Sequence, residues 1–184
     1  MVSATTFFDA VAQSICSDFI VKSDRGKITH YEEHHDNTKS KFEISSNAKH
    51  VAFSLDVKGE EPFAILGPGF NTRNDFTVVC LSEEGRPLVF VVECKNSESP
   101  GDAQAQISRG IHFVEYLFDI INSVKKWQLD PRIFGVAAYR PRFPPKGTTR
   151  PKFVEVGAAK ILRAEWHVGV VLPLSELIRA TGVK

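Results

Sequence analysis

Apolar residues at helical spacing open the chain. In "ATTFFDAVAQSICSDFIV", residues 4 to 21, Phe7 or Phe8, Val11, Ile15 and Phe19 recur at steps of three and four. That is one face of an amphipathic helix, with Thr5 or Thr6 as its N-cap. "KSDRGKITHYEEHHDNTKSK" is polar and broken by Gly26, and reads as a loop or weak hairpin. Residues 42 to 57, "FEISSNAKHVAFSLDV", fit either a helix using Ile44, Ala48, Val51 and Leu55 or a strand pair; the helix is favoured.

The period changes at Pro62. "PFAILGPGF" is a short apolar run, read as a strand, stopped by Gly67-Pro68-Gly69. "DFTVVCL" and "PLVFVVECK" are β-branched runs separated by "SEEGR", whose Glu84-Gly85 supplies a turn, so the two predict an antiparallel hairpin. "DAQAQISRGIHFVEYLFDIINSVKKW" carries Ile107, Ile111, Val114, Phe118, Ile121 and Lys125 at helical steps, with Asp102 as N-cap. "IFGVAAYR" reads as a strand, "PRFPPKGTTRPK" as a loop, "FVEVG" and "WHVGVVLPL" as strands, and "SELIRATG" as a short terminal helix. A strand returning after so long a helix is a parallel crossover. The expectation is therefore an α/β fold, a mixed sheet flanked by helices in the order α-β-β-β-α-β with further C-terminal strands. It forms one domain over 1–184, with a core at about 40–140, an N-terminal helical extension over 1–39 and C-terminal strands and a short helix over 141–184.

Composition narrows the picture modestly. A chain of 184 residues buries about 70% of its extended surface as one domain. Hydrophobic residues at 42% and charged residues at 24% are globular values. A net charge of +1 restricts any attraction for a polyanion to a local patch. Cys16, Cys80 and Cys94 have no CxxC spacing and argue against a disulfide framework. No run reaches the ~20 apolar residues of a membrane span, and no signal peptide is evident, so an intracellular location, cytoplasmic or nuclear, is expected.

Candidate chemistry sits where an apolar strand ends in charge. In "VFVVECK", alternation sends Glu93 and Lys95 to the face of Val89 and Val91, and Cys94 to the face of Phe90 and Val92. An isolated buried charge is costly, so such a pair must be mutually paired, solvated or metal-bound. The hairpin brings Asp75, at the start of the first strand, beside Glu93 and Lys95. Two carboxylates with a lysine suit Mg²⁺ or Mn²⁺, which takes a few carboxylate oxygens and keeps water and phosphate oxygens as other ligands; the Cys94 carbonyl is a further candidate ligand. The implied reaction is phosphodiester hydrolysis, with Lys95 orienting the water.

Asn74-Asp75-Phe76, an 18-residue step to Glu93-Cys94-Lys95 and a helix opening with "AQAQ" resemble the PD-(D/E)xK nuclease superfamily, with its restriction-endonuclease-like fold. The resemblance covers roughly residues 40 to 140. It implies metal binding by Asp75 and Glu93, service to the attacking water by Lys95, a helix-borne glutamine at Gln106 or Gln104, and an extra acid on the preceding helix. Glu43 is the choice for that acid, with Glu32 and Glu33 behind it. His50 or His35 could imitate the histidine that some viral cap-cleaving relatives use there. Gly110 stands where exonuclease branches place an aromatic residue, which departs from those branches.

The basic stretch from Tyr139 to Lys152 supplies Arg140, Arg142, Lys146 and Arg150 as candidate nucleic-acid contacts, a solvated hairpin tip being the alternative. Arg73 and Arg109 join them. "EEHHDN" lacks the i, i+4 histidine spacing of a helical metal site, and His112 and His167 read as core or boundary residues. The expected function is that of a metal-dependent nuclease, an endonuclease acting on DNA, with homodimerisation as one arrangement for cutting both strands. The alternatives are a catalytically inactive nucleic-acid-binding or assembly module of the same fold and an RNA-directed endonuclease.

Overall fold

The computed structural model describes residues 2–33, 39–63, 65–66, 73–95, 101–139, 161–165 and 171–183. Helix α1 spans Ala4–Gln13 and strands β1 and β2 span Lys27–Glu33 and Lys39–Ser45. Strands β3, β4 and β5 follow at Val51–Phe53, Phe76–Leu81 and Pro87–Lys95. Helix α2 covers Gly101–Lys125, and β6, β7, β8 and α3 cover Arg132–Tyr139, Ile161–Glu165, Val171–Pro173 and Leu174–Ala180. The fold is α/β with two mixed sheets. Five strands run in the order β3-β4-β5-β6-β7, and three in the order β1-β2-β8.

The strongest sequence signals survive. β4 and β5 pair antiparallel, Val78 opposite Phe90, and β6 returns parallel to β5 after α2, Val92 beside Val136. All of β5 from Pro87 to Cys94 is buried, because a layer covers each face of the five-stranded sheet. Val79, Val89 and Val91 pack with Phe7, Phe8 and Val11 of α1 and Ile107, Val114, Phe118 and Ile121 of α2. Val78, Cys80, Phe90, Val92 and Val136 pack with Ile28 and Ile44 of the smaller sheet and Leu174 and Leu177 of α3.

Other expectations are corrected. Residues 42 to 57 form no helix: Phe42 and Ile44 pair with His30 and Ile28, and Val51–Phe53 joins β4. The break between them is local, since the Ser46 hydroxyl both accepts from the Ala48 amide (3.1 Å) and donates to its carbonyl (2.9 Å). Such side-chain bonds compete with a helical ladder. The polar stretch after residue 22 takes its hairpin alternative rather than the loop: β1 pairs antiparallel with β2, and the hairpin straddles the expected core boundary at 40. The third strand before α2 is β3, not the run after Pro62, whose described residues contain no strand. Helix α1 stops at Gln13, with Ser14 donating back to the Ala10 carbonyl at 2.7 Å. Its N-cap is Ser3, which accepts from the Thr6 amide, rather than Thr5 or Thr6. Helix α2 begins at Gly101, which places Asp102 inside its first turn. β7 was not anticipated, and the strand expected over 153–157 lies outside the described residues.

Candidate active site at the end of the β4–β5 hairpin

The antiparallel register sets Phe76 opposite Val92, so the next pair outward is Asp75 and Glu93. Their backbones lock the two carboxylates together. The Asp75 amide donates to Glu93 Oε2 at 3.2 Å, and the Cys94 amide donates to Asp75 Oδ2 at 2.5 Å. Lys95 Nζ lies 2.6 Å from Glu93 Oε1 and donates to Gln106 Oε1 at 2.8 Å. Gln106 Nε2 in turn donates to the Arg73 carbonyl at 2.8 Å, so the first turns of α2 are tied to both strands. Asp75, Glu93, Lys95 and Gln106, each expected from sequence, therefore form one connected unit.

Its electrostatics are strained. Glu93 is 1% exposed. Burial, reinforced by the Asp75 charge and opposed by Lys95 and the Asp75 amide, pushes its carboxyl up to about 8. Burial likewise raises Asp75, against the pull of His30, the Cys94 amide and Lys95. Two carboxylates disfavoured as anions at one strand end form a setting in which a cation lowers the energy. Asp75 Oδ2 and Glu93 Oε2 each accept a main-chain amide, and a carboxylate offers about four lone-pair sites. The pair thus fits a divalent ion that takes few protein oxygens and completes its shell with water and substrate. Among the described residues, no group of three or more His, Cys, Asp and Glu converges to hold an ion by itself.

The first sixty positions contribute a residue that sequence reasoning missed. His30 of β1 shares the inward face of Ile28, and its ring lies 5.6 Å from that of Phe76. Its Nε2 is 3.5 Å from Asp75 Oδ1. The legible signal was a histidine two residues after an isoleucine inside "KITHYEE", an alternation masked by the polarity around it. Ser54 was missed as well; its hydroxyl donates to the Asp75 carbonyl at 2.5 Å and accepts from the Asp56 amide.

Several candidates lie elsewhere. Glu43 alternates with Phe42 and Ile44 and so points away from the inward face, where it pairs with Lys41 at 2.9 Å. His50 contacts the Ala48 carbonyl within its own turn. Arg73 turns inward: its guanidinium donates to the Leu55 and Glu60 carbonyls and pairs with Glu61. Cys94 reaches Asp75 through its amide, and the residue is buried in the apolar layer shared with the smaller sheet. Arg109 and Gln104 are exposed on α2, and His112, expected at a boundary, is solvent-facing beside Glu115. Arg140, Arg142, Lys146, Arg150, His35 and His167 lie outside the described residues, as do the side chains of Glu32 and Glu33. A concavity of about 460 Å³ lined by Phe7, Leu81, Trp127 and Leu129 lies at the opposite, turn end of the hairpin, remote from this cluster. No described helix is long and apolar enough to cross a membrane.

Comparison with protein-family models, characterised proteins and solved structures finds no match for this chain.

Proposed function

We propose that the protein is a divalent-metal-dependent nuclease that hydrolyses phosphodiester bonds, with DNA as its substrate, on a restriction-endonuclease-like core. One observation carries the reading: Asp75 and Glu93 are cross-linked by each other's strand amides, with Lys95 held between Glu93 and Gln106. The element order supports it, since α1, β3, β4, β5, α2 and β6 run α-β-β-β-α-β once the hairpin β1–β2 is treated as an insertion.

Asp75 and Glu93 would hold Mg²⁺ or Mn²⁺. The chemistry such an ion would supply there is a lowered pKa for a bound water and neutralisation of charge on the scissile phosphate. Lys95 orients the attacking water from its place beside Glu93, and Gln106 fixes the ammonium by accepting a hydrogen bond from it. The buried strand behind them, Val89 and Val91, keeps bulk water off one side of the carboxylates and strengthens every charge interaction in front. Histidine at position 30 favours the anionic form of Asp75 when it carries a proton.

The purified chain with Mg²⁺ or Mn²⁺ should nick plasmid DNA, and Asp75→Ala or Lys95→Ala should abolish the activity. Cleavage persisting in both variants would sink the assignment. A second reading, a silent nucleic-acid-binding module, is favoured by the Glu93–Lys95 pair, which already balances one carboxylate without an ion. That reading expects DNA or RNA binding without cleavage, and no thermal shift with Mn²⁺.

A further inference from the structure

Immediately before Asp75 stands a residue whose surroundings are unusual. Asn74 is 1% exposed. Its Nδ2 donates to the Phe76 carbonyl at 2.9 Å and to Thr77 Oγ1 at 3.2 Å, and reaches the Val92 carbonyl across the hairpin at 3.5 Å. The amide oxygen, Oδ1, is buried with no hydrogen-bond partner among the described residues. An unpaired buried carbonyl is a cost that an apolar side chain would avoid. What the asparagine returns is a set of donor contacts that join the first residues of β4 to the last residues of β5.

Helix α2 closes over this amide. A Cβ built at Gly110 would stand 2.3 Å from Asn74 Oδ1, 2.8 Å from its Cγ and 2.6 Å from Val91 Cγ1. Real Cβ atoms essentially never approach an oxygen so closely, so any side chain at position 110 would have to displace the Asn74 amide and the Val91 methyl. This glycine is buried in the middle of a 25-residue helix, where it is less favourable than alanine by about 1 kcal/mol. One turn earlier on the same helix, Gln106 holds the Arg73 carbonyl. Consecutive residues 73 and 74 are thus gripped by consecutive turns of α2, directly ahead of the acid.

We propose that Asn74 and Gly110 form a positioning pair through which α2 sets where the Asp75 carboxylate stands against Glu93. The proposal rests on the reading of Asp75 and Glu93 as the metal-holding pair, but the placement it describes is measurable without any ion. Asn74 touches neither substrate nor metal in this scheme. It acts by fixing the backbone from which the Asp75 carboxylate, the acceptor of the Cys94 amide, projects.

The test combines hydrogen exchange with Mn²⁺ titration on the full chain. In Asn74→Ala and in Gly110→Ala, the protection factors of the Asp75 and Cys94 amides should fall at least about tenfold, while Val79 and Val89 near the turn keep theirs. Calorimetric Mn²⁺ affinity should weaken by about tenfold or more, as for other groups that orient ligands. Leu177→Ala, which loosens the opposite layer, should leave that affinity unchanged. Gly110→Ala should add less in the Asn74→Ala background than alone, the remainder being its contact with Val91. Exchange at Asp75 and Cys94 that stays as in the parent, or that rises equally along all of β4 and β5, overturns the proposal. Local loss of protection in a protein that never responds to Mn²⁺ upholds the pair and refutes the metal reading instead.

Discussion

At the scale of the residue, Glu93 carries the sharpest consequence. Its ordinary value is 4.5, and burial beside Asp75 moves it to about 8 in the folded chain. Between those values the native protein holds a proton that the unfolded chain has released. Stability therefore falls as pH rises through this window, the reverse of an ion-paired surface acid. In the absence of divalent ions, the melting temperature should decline from about pH 5 to about pH 8. Glu93→Gln should flatten that decline, and Mn²⁺ should offset it by occupying the place of the proton. A slope identical in Glu93→Gln would remove Glu93 as its source. The proximity of Glu93 and Lys95 was legible from alternation alone. The magnitude of the burial was not, because it depends on two layers contributed by α2 and by the smaller sheet.

At the scale of the element, the hairpin β1–β2 separates what the sequence suggested from what the fold assembles. The resemblance implied an extra acid on a helix before the hairpin, with Glu43 as the choice; as a strand, residues 42 to 44 alternate, and the inward positions fall to Phe42 and Ile44. Strand pairing wins over helical periodicity because β1, unremarkable in its own sequence, supplies a partner for every residue of β2. Glu43→Ala, which removes only the pair with Lys41, should thus lower stability slightly and leave Mn²⁺ affinity intact. Denaturant unfolding and calorimetry measure both. A loss of metal response matching that of Glu93→Ala would place Glu43 in the site and the strand in another register. The hairpin also delivers His30, which no spacing argument tied to Asp75.

At the scale of the whole molecule, the five-stranded sheet lies between two apolar layers, and the three cysteines report on them. Cys16 is exposed, whereas Cys80 and Cys94 are buried between the two sheets. Burial pushes the Cys80 thiol up to about 12, which suppresses the reactive thiolate. One thiol should react quickly with an alkylating reagent, and the other two only at the rate of unfolding and in parallel. Mass spectrometry after timed labelling gives the count. Cys94 reacting well before Cys80 would mean that the layer opens from the site end independently of the turn end.

The sequence by itself determined the elements whose signal is local: the amphipathic α2, the β4–β5 hairpin with its glycine turn, and the alternation that puts Glu93 and Lys95 on one face opposite Asp75. Those features depend on residues within one strand or one helix of each other, where side-chain period and turn chemistry suffice. Only the tertiary structure decided that His30 and Ser54 flank Asp75, that Arg73 turns inward to its own loop, and that Gly110 makes room for Asn74. Each of these is a contact between residues twelve or more apart in the chain. Their partners are chosen by which layers pack together and how strands register, and no periodicity along the chain encodes that choice.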